Sequence, residues 1–294
     1  MPLNIYYHRG YFEGSAKWPL LRNLTVNGNM YEAHYPIFLK QLPTMTALTK
    51  LNMYEFNPSH ITPTLLNAVP NQLQVLNMAL WNHKEEFADM LWRLTDLRRL
   101  TLSFDEEVDA DVEVITPPLI HHASLTALEI QHWGLDASMN GLALSRLLAG
   151  LTGLQHLDLK TCYLDDEDAA KCVSVLRHHA QLRSLILTEG GRRDKLGLGK
   201  SGEALAAVLP HLPHLETLIT DATDTSPLGL VLQQSLTIHH VKHSTDLWYQ
   251  KRICAMANRN RVRQATLESL SCLPNQEKGS IVAKRPHRSS HVRT

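Results

Sequence analysis

The sequence predicts an α/β solenoid, in which a short strand and a helix repeat along the chain and stack into one open parallel sheet. Leucine is abundant almost from end to end, and a leucine-containing hexamer recurs at regular intervals. Between the hexamers, the spacing of apolar residues changes from strand-like to helix-like. A chain built in this way buries its apolar residues between neighbouring repeats.

Leucine supplies the material for the predicted core. The 294 residues include 50 leucines, of which Leu273 is the last, and 44% of all residues are hydrophobic. This length and composition are sufficient for a large core. We therefore expect the core to end shortly after Leu273.

The hexamer L-x-x-L-x-(apolar) occurs seven times, and an eighth copy is degraded. Side chains alternate on a strand, so the second leucine and the apolar residue two positions later share one face. Each hexamer is therefore predicted to form a strand. The copies are LRNLTV, LTKLNM, LQVLNM, LRRLTL, LTALEI, LQHLDL, LRSLIL and LETLIT, and they begin at Leu21, Leu48, Leu73, Leu97, Leu125, Leu154, Leu182 and Leu215.

The segments between the hexamers have helical spacing. In residues 165–181, for example, Ala169, Cys172, Val173 and Leu176 fall on one stripe of a helix. One strand and one helix cannot bury their leucines alone, whereas stacked units share a continuous core. Each repeat is therefore predicted to be a strand, a turn and a helix.

One copy carries a longer signature. The segment LQHLDLKTCYL, which begins at Leu154, matches L-x-x-L-x-L-x-x-N/C-x-L, with Cys162 in the Asn/Cys position. On this basis the chain resembles the leucine-rich-repeat family, specifically its ribonuclease-inhibitor-like branch, over about Leu21 to His243. The resemblance implies a horseshoe with a parallel sheet on its concave side and helices on its convex side. Most other copies depart from the family at the Asn/Cys position, so we expect irregular turns there.

The ends of the array are expected to differ from its middle. Residues 1–20 are predicted to be an N-terminal cap, 21–245 to hold about eight repeats, and 246–274 to form C-terminal capping helices. Residues 275–294 lack aromatic residues and helical spacing, so a disordered tail is predicted. Residues 246–294 carry ten Lys/Arg against three Asp/Glu, although the whole chain has no formal net charge.

The cysteines and the apolar runs predict a cytoplasmic protein. Four cysteines without a C-x-x-C pair indicate neither a disulfide framework nor a zinc ribbon. No signal peptide is visible, and 18 uncharged apolar residues never occur in a row. Family analogy adds the expectation of a bacterial effector delivered into a host cell, or of a scaffold.

Residues 197–202, GLGKSG, imitate a dinucleotide-binding fingerprint. In that fingerprint the first glycine lies in the tight turn that directly follows the strand. Here nine residues separate Leu187 from Gly197, so we do not expect a nucleotide at this position. The sequence also has no H-E-x-x-H or G-x-S-x-G motif. No catalytic residue and no cofactor are predicted.

The chain contains 17 histidines, and two pairs recur at the same offset from a hexamer. His121 and His122 precede Leu125, as His178 and His179 precede Leu182. The repeat places these pairs at helix C-termini, where exposed carbonyl groups favour a partly protonated imidazole. A structural role is therefore predicted for these pairs, and no metal site.

The predicted function is binding of a protein partner on the open concave face. The residues there are uncharged and polar in the N-terminal half, and carboxylates gather in the C-terminal half, which indicates a partner that is basic toward that end. One alternative is an anion- or nucleotide-dependent enzyme that uses the basic glycine-rich loop 188–201. Another is an adaptor that binds a membrane or, less favoured, a nucleic acid through the basic tail. The predicted contact residues are Tyr54, Asn77, Phe104, Glu129, Gln131, Asp158, Lys160 and Glu189.

Overall fold

A computed structural model describes residues 2–6, 18–27, 35–53, 61–80, 83–104, 112–132, 141–160, 162, 164, 166–188, 200–220 and 240–242. These residues include ten strands in one parallel sheet, and the order of the strands in the sheet is their order in the chain. The strands are β1 (Pro2–Tyr6), β2 (Asn23–Asn27), β3 (Lys50–Met53), β4 (Val75–Leu80), β5 (Arg99–Phe104), β6 (Ala127–His132), β7 (His156–Lys160), β8 (Ser184–Thr188), β9 (Thr217–Thr220) and β10 (His240–Lys242).

Eight of these strands, β2 to β9, coincide with the eight hexamers, which confirms the predicted α/β leucine-rich-repeat solenoid. Two further strands extend the sheet at its ends without a hexamer. β1 pairs with β2 from Pro2 opposite Asn23, and β10 pairs with β9 from His240 opposite Thr217. Residues 2–6 of the predicted N-terminal cap are thus a strand of the sheet. The predicted capping helices, 246–274, and the tail, 275–294, lie outside the described residues.

The register of the sheet aligns the leucines of successive repeats. The second leucine of each hexamer lies opposite the second leucine of the next, and each is at most 1% exposed. Contacts between apolar residues in register provide most of the free energy that holds neighbouring repeats together. These leucines are Leu24, Leu51, Leu76, Leu100, Leu128, Leu157, Leu185 and Leu218.

The helices pack against this leucine face. In α3, Phe87, Met90 and Leu91 are buried in the same core as the strand leucines. Glu85, Asp89 and Trp92 of that helix are exposed. The helices are α1 (Tyr35–Gln41), α2 (Pro63–Ala68), α3 (Lys84–Arg93), α4 (Val112–Ile120), α5 (Gly141–Gly150), α6 (Asp166–Ser174) and α7 (Lys200–Val208).

In six of the repeats the chain returns from the helix layer to the sheet through a turn with the same hydrogen-bond pattern, whereas before β4 this position is Pro70, which has no N–H to donate. In one copy the Leu94 N–H donates to the Leu91 carbonyl, and the Leu97 N–H donates to the Leu94 carbonyl, both at 3.0 Å. The residue equivalent to Leu94 lies three positions before the first leucine of the hexamer. We call the residues with this pattern the turn column: Met45, Leu94, His122, Leu151, His179 and Leu212.

A second ladder of hydrogen bonds joins each repeat to the next at the start of the strands. The Arg22 carbonyl accepts from the N–H groups of Thr49 and Lys50, at 2.9 and 3.0 Å. The same double acceptance recurs in every following repeat to β9. The seven accepting carbonyl groups belong to Arg22, Thr49, Gln74, Arg98, Thr126, Gln155 and Arg183.

Cys162, in the Asn/Cys position of the leucine-rich-repeat signature, joins its repeat to the one before it. Its Sγ donates to the carbonyl oxygen of Ile130 in the preceding repeat, at 3.4 Å. Cys172, on α6, similarly donates to the carbonyl oxygen of Gly141, at 3.4 Å. Both buried thiols thus satisfy backbone acceptors of the repeat before them.

Candidate functional site

The sheet face that points away from the leucine core is the candidate site. On each strand the residue after the second leucine points to this side, because side chains alternate. The register places these residues side by side, about 4.8 Å apart from strand to strand. We call them the central row of the concave face: Thr25, Asn52, Asn77, Thr101, Glu129, Asp158, Ile186 and Ile219.

The chemistry of the central row changes along the sheet. The four residues on β2 to β5 carry uncharged hydroxyl or amide groups. Glu129 on β6 lies directly opposite Asp158 on β7, and Ile186 on β8 lies opposite Ile219 on β9. All four are partly exposed. A partner that crosses the strands would therefore meet uncharged polar, then acidic, then aliphatic groups.

Neighbouring side chains hold the Glu129 carboxylate in place. The Thr101 Oγ1 donates to Glu129 Oε2 at 3.4 Å, and the Gln131 Nε2 donates to Glu129 Oε1. Like charges directly opposite each other on neighbouring strands repel, so the pairing of Glu129 with Asp158 is unfavourable in itself. The two donors reduce this repulsion and fix the orientation of the carboxylate.

Two polar atoms near the centre of this face are buried without a hydrogen-bond partner in the described part of the chain. They are Asn77 Oδ1 on β4 and Ser103 Oγ on β5, and Ser103 is only 3% exposed. An unsatisfied buried polar atom costs about 1–3 kcal/mol. A group that hydrogen-bonds to either atom would recover part of this free energy.

A second row of side chains on the same face was not among the contact residues predicted from the sequence. The residue before each second leucine also points away from the core, and Lys50, Arg99 and His156 are exposed there. Partial burial, together with the charges of Arg99 and Arg183, lowers the pKa of His156, whereas Glu216 opposes this effect. The period-two alternation that identified the central row also indicates this row.

The structure brings four predicted contact residues together on the concave face: Asn77 on β4, Glu129 and Gln131 on β6, and Asp158 on β7. Lys160 pairs in register with Gln131, although its side chain lies outside the described residues. Tyr54 and Glu189 are also outside them. The contacts themselves stay a prediction.

The placement of Phe104 on this face was wrong. Phe104 ends β5 and is 1% exposed. It follows Leu100 and Leu102 at intervals of two, so its ring points into the leucine core. Thr101 and Ser103 are the residues of β5 that face the concave side. Phe104 therefore stabilises the fold and is not available to a partner.

The amide groups at the start of α7 are already hydrogen-bonded to a side chain of the preceding repeat. The N–H groups of Lys200 and Ser201 donate to the two carboxylate oxygens of Asp166, each at 2.9 Å, and the Ser201 hydroxyl donates at 2.7 Å. Although burial raises it, these bonds and the Lys200 charge lower the pKa of Asp166. A phosphate at the GLGKSG segment would have to displace this carboxylate, because phosphates bind such amide groups.

The two histidine pairs divide into exposed and buried members. His121 Nδ1 lies 2.7 Å from the Pro117 carbonyl oxygen, as expected for a side chain at a helix C-terminus. His122 and His179, however, are buried, and burial lowers the pKa of each ring. The prediction of partly protonated imidazoles was therefore wrong for these two residues, because their rings enter the core.

The described cysteines are unsuited to nucleophilic chemistry. Burial raises the pKa of the Cys162 thiol far above its ordinary value, and raises that of Cys172 to about 12. Neither thiol forms a disulfide, and burial favours the protonated form of both. Within the described ranges, no three His, Cys, Asp or Glu side chains group closely enough to hold a metal ion. None of the helices there is long and apolar enough to cross a membrane.

No family model and no curated protein matches the chain. Among solved structures, it is similar to the leucine-rich repeat-containing protein LegL7 from Legionella pneumophila, with 14% identity and a TM-score of 0.39 over 88% of this chain and 97% of that one. It is also similar to a protein from Bacteroides fragilis, with 15% identity and a TM-score of 0.46 over 78% of this chain and 67% of that one. The described geometry of the chain itself is that of a leucine-rich-repeat α/β solenoid.

Proposed function

We propose that this chain is a protein-interaction module that binds a partner protein on its concave face and catalyses no reaction. The observation that supports this proposal is the central row, in which eight side chains stand in register on a face opposite the leucine core. Repeat proteins use such extended curved faces to bind partners across several repeats. The chemistry of the row gives each part of the face a different preference.

The partner is proposed to be basic where it meets β6 and β7, and apolar where it meets β8 and β9. The carboxylates of Glu129 and Asp158 attract Lys or Arg, and this attraction mainly increases the rate of association. Ile186 and Ile219 provide an aliphatic surface beside these charges. A segment with basic residues followed by apolar ones matches this order of groups.

The proposed contact residues are those predicted from the sequence, without Phe104. Asn77, Glu129, Gln131 and Asp158 form the described part of the set. Tyr54, Lys160 and Glu189 complete it on the strength of the repeat pattern.

The finer assignments are also proposals. The ribonuclease-inhibitor-like branch is supported by the α-helices of up to ten residues that link successive strands. A cytoplasmic location is supported by Cys162 and Cys172, neither of which forms a disulfide, as suits a reducing compartment. Delivery into a host cell, or action as a scaffold, rests on family analogy.

The proposal can be tested with a partner isolated by affinity capture and then purified. The concave set of variants is Glu129→Lys, Asp158→Lys and Ile186→Ala. The convex set reverses the charges of Glu85, Asp89 and Arg177, which are exposed on the helix side. We expect Ile186→Ala to lose roughly 1–3 kcal/mol of affinity, because the partner would no longer bury the aliphatic groups that are removed. The two charge reversals should mainly slow association.

Circular dichroism of all the variants provides the control, since every set should leave the fold intact. Loss of binding in the convex set, with binding retained in the concave set, would assign the functional surface to the opposite side of the solenoid.

A further inference from the structure

The six residues of the turn column share one pair of backbone hydrogen bonds, and four of them show how similar their backbone angles are. The angles φ and ψ are −80° and 64° at Met45, −86° and 56° at Leu94, −98° and 59° at His179, and −109° and 69° at Leu212. Every side chain in the column is at most 6% exposed. The column is therefore a single structural position that the repeats fill with different residues.

Two of the six residues in the column are histidines, whereas the other four are leucine or methionine. His122 is 6% exposed and His179 is fully buried. The Nε2 atom of His122 and both ring nitrogens of His179 are buried without a hydrogen-bond partner of good geometry in the described part of the chain. Each ring thus places unsatisfied polar atoms where an aliphatic side chain fits.

The surroundings of both rings disfavour a positive charge. Burial is the largest effect and lowers the pKa of both histidines. Carbonyl groups oppose it in part: that of Leu91 for His122, and those of Leu148, Val175 and Leu176 for His179. The charged or titratable group that acts on each ring is the adjacent histidine, which lowers the pKa further. In the described residues no carboxylate is among the groups that act on either ring.

We propose that His122 and His179 act together as an acid-sensitive device that loosens the turns before β6 and β8 when their rings take up protons. A protonated imidazole in this column would place a charge in the leucine core without a counter-ion among the groups that act on it. Moving the ring into water requires the turn to open, and the opening exposes the first leucine of the hexamer that follows.

The direction of the pH effect follows from the sign of the shift. At pH values above the ordinary value of about 6.5, the ring is neutral in the folded and the unfolded chain, and the effect is absent. As the pH falls below that value, the unfolded chain takes up protons first, so the free energy of unfolding decreases until the lower folded-state pKa is reached. For each histidine, every pH unit between the unfolded-state and the folded-state pKa increases the unfolding equilibrium constant about tenfold.

The device would act on the face proposed to bind the partner. β6 carries Glu129 and β8 carries Ile186, so loosening of the turns before these strands would weaken binding in acid. This last step rests on the proposed function, whereas the acid sensitivity itself does not.

The matched variants are supplied by the column itself. In His122→Leu, His179→Leu and the double variant, the histidine is replaced by the residue found at three other positions of the column. His121→Leu and His178→Leu are the controls, since both of these neighbours are exposed. The full chain and each variant would be unfolded with urea at about pH 7.5, 6.5 and 5.5, across the range in which histidine titrates.

We expect the urea midpoint of the unchanged chain to decrease as the pH is lowered from about 7.5 to 5.5, and that of the double variant to decrease less. At about pH 5.5, the unfolding equilibrium constant of the unchanged chain should have increased at least about tenfold more than that of the double variant. Part of the pH dependence should persist in the double variant because of the exposed His156. The control variants lack the neighbouring histidine that adds to the lowering of the buried ring's pKa, so they should lose only a small part of the pH dependence. Equal pH dependence in the double variant and the unchanged chain would overturn the proposal.

Hydrogen exchange measured by mass spectrometry on the unchanged chain provides a test that needs no variant. After correction for the intrinsic effect of pH, exchange in residues 118–128 and 175–186 should accelerate at about pH 5.5, whereas residues 91–97, with Leu94 in the column, should change less. A uniform change in all three segments would overturn the proposal. Neither experiment involves a partner, so failure here leaves the binding proposal intact, and failure to find a partner leaves these results unchanged.

Discussion

Replacing Asp166 with Ala removes the carboxylate that joins the starts of two neighbouring helices. The carboxylate accepts three hydrogen bonds from Lys200 and Ser201, at 2.7 to 2.9 Å. In Asp166→Ala the two amide groups at the start of α7 lose their acceptor. In Asp166→Asn, one oxygen remains to accept, but the negative charge is lost and the amide nitrogen cannot accept from an N–H group.

The expected magnitude follows from the exposure of these groups. Loss of a capping side chain costs about 0.5–2 kcal/mol, and a charge at a helix N-terminus adds about 0.3–1 kcal/mol. The Lys200 N–H is exposed and can be solvated after the change, whereas the Ser201 groups are partly buried and recover less. We therefore expect Asp166→Ala to lower the free energy of unfolding by about 2 kcal/mol, and Asp166→Asn by about 1 kcal/mol.

The assay is urea unfolding followed by circular dichroism at neutral pH, with Glu167→Gln as the control. Glu167 precedes Asp168 in the same helical turn and lies 3.4 Å from Lys171 and 3.5 Å from Lys200, but its carboxylate is well exposed. An exposed pair of this kind contributes less than about 1 kcal/mol. If Asp166→Ala and Glu167→Gln lowered the free energy of unfolding equally, the capping role of Asp166 would be refuted.

Three further predictions concern the core, the glycine-rich segment and the ends of the chain. Phe104→Ala should lower the free energy of unfolding by about 3–5 kcal/mol, because it leaves a cavity beside Leu102; a loss of less than about 1 kcal/mol in urea unfolding would contradict the burial of the ring. Millimolar NAD or ATP should leave Tm unchanged, since a ligand that bound the folded chain would raise it; a saturable rise would show a nucleotide site. Removing residues 275–294 should leave the circular dichroism melt unchanged, whereas ending the chain before Asp246 should lower Tm; equal melts would contradict the capping prediction.

The strands could be predicted because the leucine pattern records burial directly. Each hexamer alternates on a strand, and one face must enter a shared core, so position and orientation follow together. β1 and β10 lack this pattern. They lie at the ends of the described sheet, where a strand has one neighbour instead of two, and the short segments PLNIY and HVK contain few leucines. Backbone hydrogen bonds at the edge of a sheet do not require particular side chains, so a sequence pattern does not predict them.

The error at Phe104 has a different cause. The hexamer ends at Leu102, but the interval of two from Leu100 to Leu102 and on to Phe104 already indicates the leucine face for a strand that reaches residue 104. Because the strand continues to residue 104, the alternation also continues, and the ring turns into the core. On the same strand, the burial of Ser103 could not be predicted from a pattern that places it on the open face.

In each histidine pair, two residues that are adjacent in the sequence differ in burial. Their recurrence before Leu125 and Leu182 was visible in the sequence, and it correctly placed both pairs at the ends of helices. Adjacent residues in a helical turn point about 100° apart, so His121 reaches solvent while His122 enters the core. The hydrogen bond between Asp166 and Ser201 joins residues that are 35 positions apart in the sequence, in neighbouring repeats. No local sequence pattern predicts such a contact.

The ladder at the start of the strands has a consequence for how such a chain can change its length. Each accepting carbonyl group, from Arg22 to Arg183, receives two N–H groups of the next repeat in the same geometry. The hexamers nevertheless begin 24 to 33 residues apart, so the length differences are absorbed by the segments that connect one strand to the next. A duplication or deletion whose two ends lie at equivalent carbonyl groups would join two repeats whose backbone donors and acceptors already have matching geometry. The solenoid can therefore gain or lose a whole repeat in one genetic event, and the concave face would lengthen or shorten by one strand.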